Sequence, residues 1–127
     1  MLEKLFNNTN IAAKALDATW LRNDAIAQNI ANVDTPGYKR KTVKFEEYLS
    51  GALDNNSSNA NLTDKVNNIP IEVTEDNTSL STRLDGNNVD IESEMASMAK
   101  NTIQYNTLVQ RINAQFKNLQ SAIKEGR

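Results

Sequence analysis

The chain has 127 residues, 39% of them hydrophobic and 24% charged, with a net charge of −2. That length supports one small domain at most, and the slight acidity argues against a nucleic-acid surface, which needs an excess of Lys and Arg on one face. The absence of Cys and His removes disulfides, thiol chemistry, zinc sites of the usual kind and the side chain best suited to proton transfer near neutral pH.

No apolar run is long enough to cross a bilayer. Residues 1–8 have no continuous apolar stretch and no small-residue cleavage site, so a cleaved signal peptide is not expected. That leaves the cytoplasm, or export by a route that cleaves nothing.

The N-terminal third predicts a helix. Leu5, Thr9, Ala12, Leu16, Thr19, Asn23, Ile26 and Ile30 alternate four and three residues apart, the spacing of a stripe that packs on a partner helix. Half of these residues are small or polar, so the stripe is thin. Trp20 and Leu21 lie off it, with Ala13 and Asp17 on the neighbouring row, and form a second adhesive surface. The helix should end near Asn32, because Pro36 and Gly37 follow.

Thr35-Pro36-Gly37-Tyr38 suits a type II turn. Next, Thr42–Phe45 reads as a short strand, although Phe45–Leu49 reads equally well as a helical turn. Gly51–Asn68 is rich in Asn, Ser and Asp and predicts a mobile loop. Ile69–Val73 alternates and reads as an edge strand, since Pro70 cannot donate to a ladder. Ser79–Leu84 is its expected partner, and Asp85–Asn88 supplies a turn.

The C-terminal third gives the strongest pattern. Ile91, Met95, Met98, Thr102, Tyr105, Val109, Ile112, Phe116, Leu119 and Ile123 keep the four-and-three spacing without a break, and only Thr102 interrupts their apolar character. Leu108 and Ala122 widen the stripe. Asp90 suits an N-cap, and Glu92 and Glu94 suit the first turns. Lys117, Lys124 and Arg127 lie toward the other end, and Gly126 is a plausible stop. A helix of about 34 residues is roughly 50 Å long.

The fold class expected is mainly α. Two long terminal helices form an antiparallel, coiled-coil-like hairpin, joined by a small β-containing or partly disordered middle segment. The boundaries are residues 1–33 for the first helix, 34–89 for the middle and 90–127 for the second helix. A two-helix hairpin with one thin stripe buries little area, so the isolated chain is expected to be only partly ordered.

Signals for chemistry are weak. Asp85–Glu94 is acidic, but Gly86 comes second in the run, where a calcium loop needs glycine sixth. A turn followed by a capped helix explains it better. Tyr38–Lys41 with Lys44 is a small basic cluster that reads as a solvated or salt-bridging surface. Met95 and Met98 read as packing residues. Nothing nominates a nucleophile and its base, so no catalytic residue, metal ligand or cofactor is expected.

One segment is far more specific. Asn29-Ile30-Ala31-Asn32-Val33-Asp34-Thr35-Pro36-Gly37-Tyr38-Lys39 resembles the signature that closes the first helix in the flagellar rod and hook proteins. The matching residues are Asn29, Ala31, Asn32, Thr35, Gly37, Tyr38 and Lys39, with Pro36 inside the motif. Asp85–Asp90, followed by Glu94-Met95, Met98–Asn101, Tyr105-Asn106, Phe116, Leu119 and Ala122-Ile123, resembles the proximal rod members of that family. Hook and distal-rod members carry large inserted domains, for which this chain has no room. The likeness spans roughly the first 50 and last 45 residues.

This resemblance implies a structural subunit rather than an enzyme. Such subunits leave the cytoplasm through the flagellar type III export channel and polymerise as a hollow rod, with terminal helices lining its core. The implied partners are copies of the chain, other rod subunits, the adaptor between rod and membrane ring, and the export apparatus, with no nucleic acid and no small-molecule substrate. The expected helix-packing residues are Leu5, Ala12, Leu16, Ile26, Ile30, Ile91, Met95, Met98, Tyr105, Val109, Ile112, Phe116, Leu119 and Ile123. Two other classes stay open on the residues alone: a cytoplasmic coiled-coil adaptor or export chaperone, and a metal-binding enzyme using Asp85–Glu94.

Overall fold

Two long helices begin and end the structure, a computed structural model that describes residues 2–54, 62–77 and 83–125. Helix α1 is Leu2–Ala31 and helix α4 is Ile91–Glu125. Between them come strand β1 (Lys41–Lys44), helix α2 (Glu46–Asp54), helix α3 (Leu62–Asn67) and strand β2 (Glu72–Glu75). At 35 residues, α4 is about 50 Å long. Its start follows the expected chemistry: Asp90 Oδ1 accepts a bond from the Glu92 amide at 3.1 Å, a side-chain cap on an otherwise unpaired donor.

α1 and α4 pack together more extensively than any other pair of elements. Three hydrogen bonds fix them as antiparallel. Asn29 reaches Glu94, Asn101 reaches the Thr19 carbonyl, and Thr9 reaches Gln115.

The face of α4 turned toward α1 is rotated from the stripe that apolarity marks. Residues seven apart share a row on a paired helix. Met98, Tyr105, Ile112 and Leu119 form a row common to both readings. The other inward row is Glu94, Asn101, Leu108 and Gln115, of which Glu94 and Asn101 are buried. Of the row one step further round, Met95, Thr102, Phe116 and Ile123 are exposed and Val109 is half-buried. The physical reason is that α1 presents Asn29, the Thr19 carbonyl and Thr9 at the facing positions, and each polar member of α4 finds its bond there.

The middle segment departs from expectation in three places. Strand β2 is Glu72–Glu75, not Ile69–Val73. Pro70 has no amide to give a ladder, and Ile69 is buried among core side chains instead. β2 pairs antiparallel with β1 in the register Lys41 to Glu75 and Lys44 to Glu72, so its partner is the earlier strand. The expected partner, Ser79–Leu84, falls at residues 79–82 outside the described residues, and Arg83-Leu84 lie in a turn. Both readings of Thr42–Leu49 are realised, as β1 followed directly by α2. Finally, the predicted loop at Gly51–Asn68 includes the end of α2 and all of α3, while 55–61 lie outside the described residues.

A small core lies between α1 and this middle segment. Ala18, Phe45, Val66 and Ile69 are buried together, with Ile11, Ala15, Leu49, Ala52 and Ile71 packed around them. Lys14 on α1 ties the segment down by donating to the carbonyls of Val66, Asn67 and Ile69, at and just beyond the end of α3. A two-stranded sheet is marginal by itself, and here α1 supports one side of it.

Phe45 is the largest of the fully buried side chains. Phe45→Ala is expected to cost about 3 kcal/mol or more, and the urea unfolding midpoint of the variant against the parent chain measures it.

Candidate functional site

The signature segment and the Asp85–Asp90 segment, far apart in sequence, meet where α1 ends and α4 begins. The centre of this junction is Asn29, whose side chain is 0% exposed. Its Nδ2 donates to the Lys41 carbonyl at 2.8 Å and to Glu94 Oε2 at 3.0 Å. Its Oδ1 accepts from the Lys41 amide at 2.8 Å and from the Tyr38 hydroxyl at 3.2 Å. Both donors and both lone pairs of the carboxamide are used. One side chain thus joins α1, the turn, the first residue of β1 and the first turns of α4.

Glu94 is also 0% exposed, and its Oε1 accepts from Arg40 Nε at 2.5 Å. Arg40 also faces Asp76 at 3.4 Å. Burial by itself lowers the Arg40 pKa, but the hydrogen bond and charge of Glu94, with those of Asp76, outweigh it and raise the value. The guanidinium is therefore a fixed cation inside the junction.

The rest of the signature forms the turn that leads into this cluster. Asn32 Nδ2 donates to the Gln28 carbonyl, and its Oδ1 accepts from the Thr35 hydroxyl. The Tyr38 amide bonds the Thr35 carbonyl at 3.3 Å, and Gly37 between them has φ of 72°. That left-handed value at the third position is what a type II turn requires, and it favours glycine. Ala31 and Pro36 are exposed and take no part in these bonds.

The Asp85–Asn88 segment holds that turn from the other side. Asn87, buried, donates from Nδ2 to the carbonyls of Asn32, Val33 and Thr35, each at 2.9 Å, and accepts from the Val89 amide. These include backbone groups left over at the end of α1. The Gly37 amide donates to the Asp85 carbonyl, and Lys39 donates to the Gly86 carbonyl. Asn88 Oδ1 accepts from the Arg40 amide, while its Nδ2 donates to the Asp76 carbonyl. From the residues, this run reads as a turn before a capped helix and as part of the family resemblance, not as a clamp on the end of α1. The available signal was three Asx residues around one glycine, in a chain whose other signature is also rich in asparagine.

Asp85 is engaged with Arg83 and with the Asn87 amide. Among the described residues no group of three or more carboxylates could hold a metal ion, and none of their helices is long and apolar enough to cross a membrane. The basic cluster Lys39, Arg40 and Lys41 is spent on internal bonds.

The expected helix-packing residues divide into two groups. Ala12 and Ile26 are buried, and Leu16, Ile30, Met98, Val109, Ile112 and Leu119 are half-buried. Ile91, Met95, Tyr105, Phe116 and Ile123 are exposed. The side chain of Leu5 lies outside the described residues.

Known proteins resemble this chain in sequence along most of its length. Residues 10–39, which end on the signature, match the family described as "Flagella basal body rod protein". Flagellar basal body rod protein FlgB of Bacillus subtilis (strain 168) is 34% identical over 119 residues, covering 89% of this chain and 90% of its own length. The chain belongs to the FlgB family of flagellar basal body rod proteins. FlgB of Borrelia hermsii is 34% identical over 92% of this chain and 96% of its own. FlgB of Escherichia coli (strain K12) is 30% identical over 99% of both chains. The likeness to FlgB thus runs through the middle segment as well as the two helices.

Two predictions follow from the junction. Glu94→Ala leaves the Arg40 cation and the Asn29 amide without their buried partner, and should cost about 3 kcal/mol; Glu94→Gln, which keeps the shape, should cost less. Denaturant titration of both variants measures the difference. Burial, with the carboxylates of Glu75 and Glu94 nearby, raises the Tyr38 phenol above its ordinary value. A raised folded-state value contributes stability that is complete below the ordinary phenol pKa and disappears as pH rises through the raised one. The parent chain should therefore lose stability in that alkaline window relative to Tyr38→Phe, as read from melts across pH.

Proposed function

We propose that this chain is a structural subunit of the proximal rod of the flagellar basal body. It assembles by helix packing into the hollow drive shaft that transmits torque and carries exported subunits. The end-to-end likeness to FlgB carries this reading. The family is structural, and the chain is not an enzyme.

The geometry supports the same reading. The junction fixes how α1 and α4 pair, and the pairing leaves Met95, Phe116 and Ile123 exposed along α4. An exposed apolar row on a paired helix is a surface for another helix. Copies of this chain and other rod subunits are the partners that would cover it. A subunit that joins its neighbours through unlike faces, repeated with a screw rotation, builds an open filament rather than a closed ring.

The finer partners belong to the same proposal: the adaptor between rod and membrane ring, and the export apparatus. So does the route, which is export through the flagellar type III system without a cleaved signal peptide, to a site outside the cytoplasmic membrane.

Electron microscopy of basal bodies from cells lacking this chain tests the proposal. Basal bodies without a rod, and restoration of the rod when the chain is supplied again, are expected. Intact rods in the deletion strain would overturn it.

A further inference from the structure

Trp20 is 65% exposed, and its indole N–H has no partner among the described residues. A large side chain of this kind with a free donor is the residue most often found at the centre of a protein interface. On α1, Trp20 is flanked one turn away on each side by exposed Asp17 and Asp24. The key is therefore aromatic, with an acidic border.

A groove of matching character lies elsewhere on the same molecule, between α1, β1 and α4. Ala25, Ile26, Val43 and Ile103 give it apolar walls. Arg22, Arg40, Lys41 and Lys100 also line it, against a single acid, Glu46. Arg22 is paired with Glu46, Arg40 with Glu94, and Lys41 with Gln28. Lys100 is exposed and has no partner among the described residues. Asn101 lines both this groove and the hollow beside Trp20.

Trp20 cannot fill this groove in its own chain. It shares a hollow with Asn23, Thr102 and Tyr105, on one side of the seam where Thr19 meets Asn101. The groove, with Arg22, Ile26, Lys100 and Gln104, lies on the opposite side of that seam. Key and receptor thus point in opposite directions from one pair of helices.

We propose that Trp20 of one copy seats in this groove of a second copy, placing Asp24 against Lys100. The indole covers Ile103, which is 68% exposed in the single chain. Because the two faces differ, the contact is head-to-tail and leaves a free key and a free groove at the ends. The inference rests on the rod-subunit reading and adds which face meets which.

The chain has no cysteine, so introduced thiols report on one contact each. Basal bodies are purified from cells whose sole copy of the chain is Asp24→Cys, Lys100→Cys or the double variant, treated with a short bis-maleimide cross-linker, and immunoblotted. The double variant should give a ladder of dimers and higher species, and each single variant monomer alone. Trp20→Ala should lower the amount of chain in the basal bodies about tenfold. Asp24→Lys and Lys100→Asp should each lower it, and their combination should recover it. Circular dichroism checks that these exposed substitutions leave the fold unchanged.

Monomer alone from the double variant in rods that contain it would overturn the inference, as would dimers from Asp24→Cys by itself. Either result leaves the rod reading standing. Absence of the parent chain from the basal bodies would overturn both.

Discussion

The buried contact between Asn29 and Glu94 is the constraint on which the rest of this molecule depends. Neither residue can be hidden from water without complete pairing, because an unpaired buried polar group costs more than a made bond returns. Glu94 needs Arg40, and Arg40 must come from the turn that follows α1. Asn29 needs the backbone of Lys41, which positions β1. The position of β1 then sets that of β2 and places Phe45 over Ala18. A few polar groups thus fix the geometry of a chain whose apolar core is small.

This arrangement also explains why the helix pair has one register. Apolar stripes slide past one another at little cost, whereas a polar residue at an inward position specifies its partner. Glu94, Asn101 and Gln115 occupy such positions on α4, each bonded to a different turn of α1. The pairing is stabilised less by burial than a fully apolar seam would be, but it is more specific. For a subunit in a filament that exchange is useful, because apolar residues not needed within the chain stay available to neighbours.

The faces left over have distinct characters. One side of the helix pair shows an indole between two carboxylates. The other shows an apolar groove with the exposed Lys100 ammonium at its edge. Such asymmetry distinguishes an open assembly from a closed dimer, since a two-fold contact needs one self-complementary patch. The long exposed row of α4, from Met95 to Ile123, adds a third surface.

By itself the sequence determined the two helices, the end of α1 and the start of α4, the Pro36-Gly37 turn and the family to which the chain belongs; the expected stop at Gly126 lies outside the described residues. These follow from local rules: periodicity of three and four, capping by Asp90, and the left-handed backbone that Gly37 permits. It also marked Trp20 as lying off the packing stripe. Only the tertiary structure decided which row of α4 turns inward, because apolarity pointed to Met95 and Phe116 while hydrogen bonding selected Glu94 and Asn101. Likewise β2 pairs with β1, and Asn87 closes the end of α1 from more than fifty residues away. Such choices depend on which buried polar groups find partners, and that is settled only when distant segments meet.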